Sequence, residues 1–425
     1  MEIIDKQSRI TQVLEIPFGK TFIKIRIPQK NISQIVYPVA SSKKNERKIL
    51  RQALENPSNS KILSDFLDDA KQILIIVNDA TRPTPTAKVL EMINPFLEKT
   101  NFRFIVATGN HREPTNDEYH RIFGRFFNLY KDKIFSHNSK KEDELYHLGT
   151  TKRGTDIWIN RLAEEADKII IIGSVEPHYF AGYTGGRKAI VPGIASYKTI
   201  EQNHEHALES NAKTLTLKDN PVHEDMDEAI TILNKEIFSI MTVLDKDHDI
   251  YVAAAGDIFT SFLEAVIKAD DIYTRKIHEK ADIVVAVVNS PLDINLYQSQ
   301  KGIENGKSAL KENGILILVS KCSEGIGDAT FADLLRSCDQ PEQILKKIAH
   351  NYVLGYHKAA NIAKMISWSE IRIVSDIEPD KIRELFLKPD DTIQDAIDTA
   401  IAKKGDNSKI VFLMDAAVTV PKFSG

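Results

Sequence analysis

Cysteine, tryptophan and long apolar runs are scarce in this chain of 425 residues. Its two cysteines, Cys322 and Cys338, have no metal-type partner nearby, which argues against a disulfide framework and for a reducing compartment. No run reaches the length of a membrane span, and the opening MEIIDKQSRI is charged where a signal peptide needs an apolar core. A formal net charge of −4 gives no electrostatic case for nucleic acid or membrane partners. P-loop, G-x-G-x-x-G, H-E-x-x-H, C-x-x-C and EF-hand patterns are missing, so a standard zinc or calcium site is not expected. No internal repeat or low-complexity tract is evident. The expected location is cytoplasmic.

What is present is alternation. The stretch QVLEIPFGKTFIKIRIP reads as a β-hairpin around Gly19, and residues 45–55 read as a helix. Apolar runs at residues 73–77, 102–107 and 168–172 alternate with helical patterns, the βαβ signature of a parallel sheet. Residues 207–238 are charged and helix-like, and residues 242–256 suggest strands. A second alternating set starts near Ala281 and runs through Val319 to residues 371–374. With 42% hydrophobic residues, the chain suffices for two cores. The expected class is therefore α/β, two domains with mostly parallel sheets flanked by helices and a cofactor site in the cleft between them. The domains are expected at residues 1–272 and 273–425, divided in the charged connection 271–280; the tail, residues 405–425, is compatible with either.

The residues that carry chemistry fall at strand ends, where open α/β sheets bind ligands. After residues 73–77 comes NDATRPTPT, with Asp79, Thr81 and Arg82; the planar fork of Arg82 suits a carboxylate, and a surface pair with Asp79 is the plain alternative. After residues 102–107 comes TGNHREPTNDE, with His111. After residues 168–172 comes EPHYFAGYTGGRKAIVPGIASYKTIEQNH. Here Thr184, Gly185 and Gly186 form either a turn offering N–H groups to an anion or an ordinary tight turn. Lys188 follows them. His178 stands in partly apolar surroundings as an acid/base candidate or a packing residue, and His204 on a helix is a metal-ligand candidate or a solvated histidine. Further on, Gln298 and Lys301 lie three apart on a helix and share a face, either binding a ligand or facing solvent. Gly325 and Gly327 would let a loop pass close to a ligand.

Taken together, DATRPTP, ATGNHRE, EPHYFAGYTGGRK, the NH ending in His204 and LYQSQK resemble the nickel-dependent lactate racemase family and its 2-hydroxyacid racemase relatives, in order and spacing over most of the chain. The resemblance implies a nickel-pincer nucleotide, a pyridinium-3,5-bisthiocarboxylic acid mononucleotide holding nickel through two sulfurs and a ring carbon. It implies that Lys188 is tethered to it as a thioamide, with His204 as the protein ligand to nickel. His111 and His178 become acid/base catalysts on either side of the substrate, and Arg82, Gln298 and Lys301 hold its carboxylate and hydroxyl. Asp79 and Thr81 order their loop, Thr184, Gly185 and Gly186 lie against the cofactor, and Trp368 walls the site.

The implied reaction inverts C2 of a 2-hydroxy acid through a transient 2-keto acid, the cofactor accepting hydride because deprotonation beside a carboxylate is too unfavourable. Lactate is the first choice of substrate. Malate, other larger 2-hydroxy acids and sugar acids stay open, with Asn110 a candidate contact to a hydroxylated substrate and Arg187 either a second anion contact or a surface residue. The rival reading is a non-catalytic nucleotide or metallocofactor carrier. An NAD-dependent dehydrogenase lacks its fingerprint. Expected partners are the substrate and cofactor-synthesis enzymes; a homodimer is compatible with the sequence.

Overall fold

A computed structural model describes residues 10–423. Residues separate into two units, one contiguous, Ala40–Ile272, and one composite, built from residues up to 39 and from 273 onward. The contiguous unit holds a six-stranded sheet formed by β1 (Ile73–Asn78), β2 (Phe102–Ala107), β3 (Ile134–Ser136), β4 (Lys168–Ser174), β5 (Glu236–Leu244) and β6 (Ile250–Asp257). Their order is β6-β5-β4-β1-β2-β3. All pairs are parallel except β5 with β6.

These strands are apolar on both sides because helices cover both faces of a parallel sheet. Ile73, Ile75, Val77, Phe104, Val106, Ile170, Ile172, Phe238 and Ile240 belong to one core cluster. The intervening Leu74, Ile76, Ile105, Ile169, Ile171 and Met241 are equally buried and, by the period of two along a strand, lie on the other face. Each such side chain contributes about 1.5–3 kcal/mol on burial. Register then sets the site: Val77 pairs with both Val106 and Ile172, so three loops leave the carboxyl edge almost level with one another.

The composite unit holds a second six-stranded sheet, in the order Lys388–Pro389, Glu370–Val374, Leu310–Val319, Ala281–Val287, Ile410–Leu413, Ile32–Val36. Every pair in it is parallel. The hairpin Thr11–Phe18 with Thr21–Pro28 forms as expected, and its Leu14, Ile16, Ile25 and Ile27 pack with Ile283, Val285, Phe412 and Ile397. Residues 10–39, expected in the first domain, therefore lie in the second unit. The tail lies there too: Ile410–Leu413 joins the sheet and Val420–Phe423 pairs with Thr274–Ile277. The helical reading of residues 207–238 narrows to Pro221–Leu233, capped by the Asn220 side chain, and β5 begins at Glu236. No helix among the described residues is long and apolar enough to cross a membrane.

Candidate active site

Asp79 follows β1 and is buried. Its Oδ1 accepts from the Thr81 hydroxyl at 2.6 Å and the Thr81 N–H at 3.2 Å, while Oδ2 lies 2.7 Å from Nδ1 of His111. Burial works to raise the pKa of this carboxyl, but the hydrogen bond and charge of His111, the Thr81 hydroxyl and the charge of Arg82 outweigh it. The result is a carboxylate held below its ordinary range. An ionised carboxylate only accepts, so Nδ1 of His111 carries a hydrogen in either charge state, and in the neutral ring Nε2 is left as the basic nitrogen. The His111 side chain is 57% exposed and borders a cleft of about 250 Å³ lined by Asp79, Thr81, His111, Arg112 and Glu118. Arg112 and Glu118 are spent on each other through two contacts of 2.6 and 2.8 Å.

Arg82 pairs with a residue that sequence reasoning passed over. Its Nη1 donates to Glu176 Oε1 at 2.9 Å rather than to Asp79. The only signal for Glu176 was a carboxylate standing directly before Pro-His at a strand end.

His178 is oriented differently from His111. Its Nδ1 accepts the Ala181 N–H at 3.3 Å, which leaves Nε2 as the protonated nitrogen of the neutral ring. Its ring stacks on Tyr179, with centroids 4.9 Å apart, and meets Phe180 edge-on at 4.5 Å. The same Phe180 ring lies 5.0 Å from that of His204 and 5.4 Å from Lys188 Nζ. Thus one buried phenylalanine gathers His178, Lys188 and His204, a hub invisible in the motif pattern because aromatic residues are common at packed positions.

Lys188 sits in the short turn of helix Gly186–Ala189. Loss of solvent around its amine, with the charges of Arg187 and Arg82 adding to it, pushes its pKa well below the usual lysine value. The Thr184-Gly185-Gly186 turn supports it by packing inward. The Thr184 hydroxyl donates to Ser174 O and accepts from Glu176 N–H, each at 3.0 Å. The Thr184 N–H goes to Glu176 O and the Gly186 N–H faces Met241 Sδ. Those two N–H groups are not offered outward, as the anion-cradle reading expects. At Gly185, where φ is +85°, a Cβ would meet Val175 Cγ2 at 2.7 Å and Ser174 O at 3.0 Å, so close packing demands glycine here.

Arg187 is neither a surface residue nor placed for a second anion. It is 1% exposed, donates to the carbonyls of Ala181, Tyr183 and Gly185 and lies over the Phe262 ring at 4.3 Å. Burial lowers its pKa to about 10 against the opposing charge of Asp227, so it remains a cation at neutral pH.

His204 lies near the end of helix Tyr197–Glu205, whose N-cap is Ser196. Its neighbour Asn203 donates to Asp225 Oδ2 at 2.8 Å, and Asp225 also accepts from the hydroxyls of Thr151 and Thr155. This buried network fixes the helix that carries His204. A further staple, Gly109 N–H to Gly193 O at 2.9 Å, joins the His111 loop to the segment after Lys188.

Gln298, Lys301 and Trp368 belong to the composite unit. Gln298 and Lys301 lie on helix Leu296–Lys307, capped by Asn295, and the Trp368 ring has Lys307 Nζ 5.9 Å from its centroid. Gly327, where φ is +94°, approaches Asn295 and Tyr297, which a Cβ would meet at 2.9 Å; the close approach it permits is to the start of this helix.

A larger cavity of about 390 Å³ opens at the amino-terminal edge of the first sheet. Two of its lysines are engaged locally: Lys168 pairs with Asp69 and Glu236, and Lys235 with the carbonyls of Glu164 and Ala166. The candidate site is the carboxyl edge.

Comparison with known proteins finds similarity along most of the chain. Residues 18–216 match the family model of the lactate racemase N-terminal domain, and residues 277–420 that of the lactate racemase C-terminal domain. A lactate racemase of Thermoanaerobacterium thermosaccharolyticum is 32% identical over 422 residues, covering 96% of this chain and 98% of that protein. One from Lactiplantibacillus plantarum is 30% identical over 428 residues, covering 96% and 99%. The solved lactate racemase apoprotein from T. thermosaccharolyticum superposes with a TM-score of 0.90 at 30% identity, covering 97% of this chain and 100% of that one. A Thermotoga maritima protein at 18% identity, with a TM-score of 0.65 and coverage of 89% and 98%, shares the fold alone.

Proposed function

The chain belongs to the lactate racemase family, and from that premise we propose that it inverts C2 of lactate, or of a related 2-hydroxy acid, with a nickel-pincer nucleotide attached at Lys188. The observation that carries this reading is the opposite preparation of two imidazoles, His111 held by a carboxylate and His178 by a backbone N–H.

The residues present fit such a cofactor. Attachment as a thioamide needs an uncharged amine to form the bond, and Lys188 is held toward that form. Among the described residues no group of three or more His, Cys, Asp and Glu side chains is gathered to hold a metal. A cofactor that brings most of its own donors asks for little more than one protein ligand, and buried His204 is the imidazole for it. When bound, the cofactor supplies an acceptor for the C2 hydride, which no side chain provides.

The chain's own residues do the rest. Arg82 binds the substrate carboxylate through its fork. His111 Nε2 takes the hydroxyl proton of one stereoisomer, and Asp79 stabilises the imidazolium that results. The proton returned to the carbonyl oxygen, when the planar 2-keto acid is reduced from its other face, comes from His178 Nε2 with that ring in its imidazolium form, which requires its Nδ1 to give up the Ala181 N–H. Running backward, the two exchange tasks, which is what interconversion in both directions requires. A carrier of the same cofactor would have no use for two proton-transfer groups beside an arginine.

A chiral assay of matured protein against lactate, malate, longer 2-hydroxy acids and aldonic acids tests the proposal. Lactate should racemise, and intact mass should show an adduct that disappears in Lys188→Ala. Failure to invert any of these acids, or full turnover by protein with an unmodified Lys188, would overturn it.

A further inference from the structure

Glu176 takes no part in the chemistry proposed above, yet its carboxylate touches the one guanidinium assigned to the substrate. The pair is close, 2.9 Å from Arg82 Nη1 to Glu176 Oε1, and only 28% and 23% of the two side chains are exposed. Screening is weaker there than at an open surface, so the contact constrains Arg82 more than a surface ion pair would.

Both partners are held from behind. The backbone of Glu176 is clamped by Thr184, which accepts its N–H at 3.0 Å and donates to its carbonyl at 2.8 Å. Thr184 is in turn anchored on Ser174 O. On the other side, the Arg82 N–H donates to Asp79 O at 3.2 Å, and Thr84 in the same loop bonds the Ser174 hydroxyl at 2.9 Å. The nearby Asp79 carboxylate is already committed to Thr81 and His111. Glu176 is thus the carboxylate that this loop architecture delivers to Arg82.

The contact is made through Nη1. Nε and Nη2 define the side edge of the fork, whose two parallel N–H groups match the two oxygens of a carboxylate. From this arrangement we infer that Glu176 is a positioning residue for substrate binding: it grips one end of the Arg82 guanidinium and so presents the Nε–Nη2 edge to the carboxylate of a 2-hydroxy acid. The inference rests on the reading of Arg82 as the carboxylate ligand. A long, rotamer-rich side chain ordered before the substrate arrives loses less freedom on binding, and the gain appears in affinity rather than in the chemical step.

The experiment compares Glu176→Ala, Glu176→Gln and Arg82→Ala in the matured enzyme, with thermal unfolding to verify folding and calorimetric titration of lactate as a second readout. Glu176→Ala should raise KM about 10-fold with kcat changed by less than about 3-fold, the size expected for losing a charge-assisted hydrogen bond that acts on binding. Glu176→Gln keeps an acceptor oxygen for Nη1 and should recover most of that loss. A Glu176→Ala enzyme with unchanged or lower KM would overturn the inference; lower KM would mean that Glu176 competes with the substrate for Arg82. A Glu176→Gln enzyme as impaired as Glu176→Ala would overturn it too. Normal KM in Arg82→Ala would remove the carboxylate reading itself, whereas an impaired Arg82→Ala beside a normal Glu176→Ala would sink only the role of Glu176.

Discussion

His111 and His178 occupy loops that leave the same sheet edge, yet their surroundings have little in common. His111 is largely exposed at a cleft and is gripped by one buried carboxylate. His178 is packed among aromatic rings and is gripped by a backbone N–H. Because a carboxylate can only accept and an N–H can only donate, the two partners turn neutral imidazoles into opposite tautomers. Chemically identical side chains thereby present different faces at Nε2, an acceptor on His111 and an N–H donor on His178, without any difference in the residues themselves.

The comparison breaks most visibly at Asp79. Asp79→Ala removes the acceptor that orients His111 and should lower kcat by on the order of 10³-fold, the range of a lost general base. Chiral assay of the matured variant measures it, and cofactor loading by intact mass should persist.

On the other side the equivalent weak point is packing. Phe180→Ala should cost about 3–4 kcal/mol of stability, because a ring touching His178, His204 and Lys188 leaves a cavity. Thermal or denaturant unfolding reads this, and Phe180→Leu should recover part of it. Asp79→Ala losing more stability than Phe180→Ala would contradict the contrast between the two sites.

A third imidazole sharpens the comparison by being purely structural. His137 is 2% exposed and bonds Ala195 O at 2.8 Å; burial lowers its pKa to about 4 despite that bond. Its folded-state pKa lies below the unfolded value of about 6.5, so the stability it contributes is complete above about pH 6.5 and lost as pH falls through 4. Up to about 3 kcal/mol should disappear across that window. Melting curves between pH 7 and pH 4 should flatten in His137→Gln relative to the parent, and unchanged curves would remove His137 from the acid limb.

Much of the fold was legible because it rests on local pattern. Runs such as ILIIVN in β1 and KIIIIGS in β4 can hardly be exposed, and their alternation with helices points to parallel strands. The loops at their ends could be named for the same reason. What escaped were contacts between distant segments. Nothing near Ile32 says that it will pair with Ile410 and carry the N-terminal hairpin into the second unit. Nothing beside Arg187 shows that three carbonyls and the Phe262 ring await it, and a charged side chain next to Lys188 read naturally as surface. Glu176 was visible as a letter but not as the partner of Arg82, since 94 residues separate them.

By itself the amino-acid order determined which side chains stand at the carboxyl ends of β1, β2 and β4, because strand, turn and helix patterns are short-range properties of the chain. Only the tertiary structure decided what each of them touches. The lowered pKa of Lys188, the tautomers of His111 and His178 and the ion pair of Arg82 depend on groups brought together across the sheet, and desolvation and hydrogen bonding act through space rather than along the backbone.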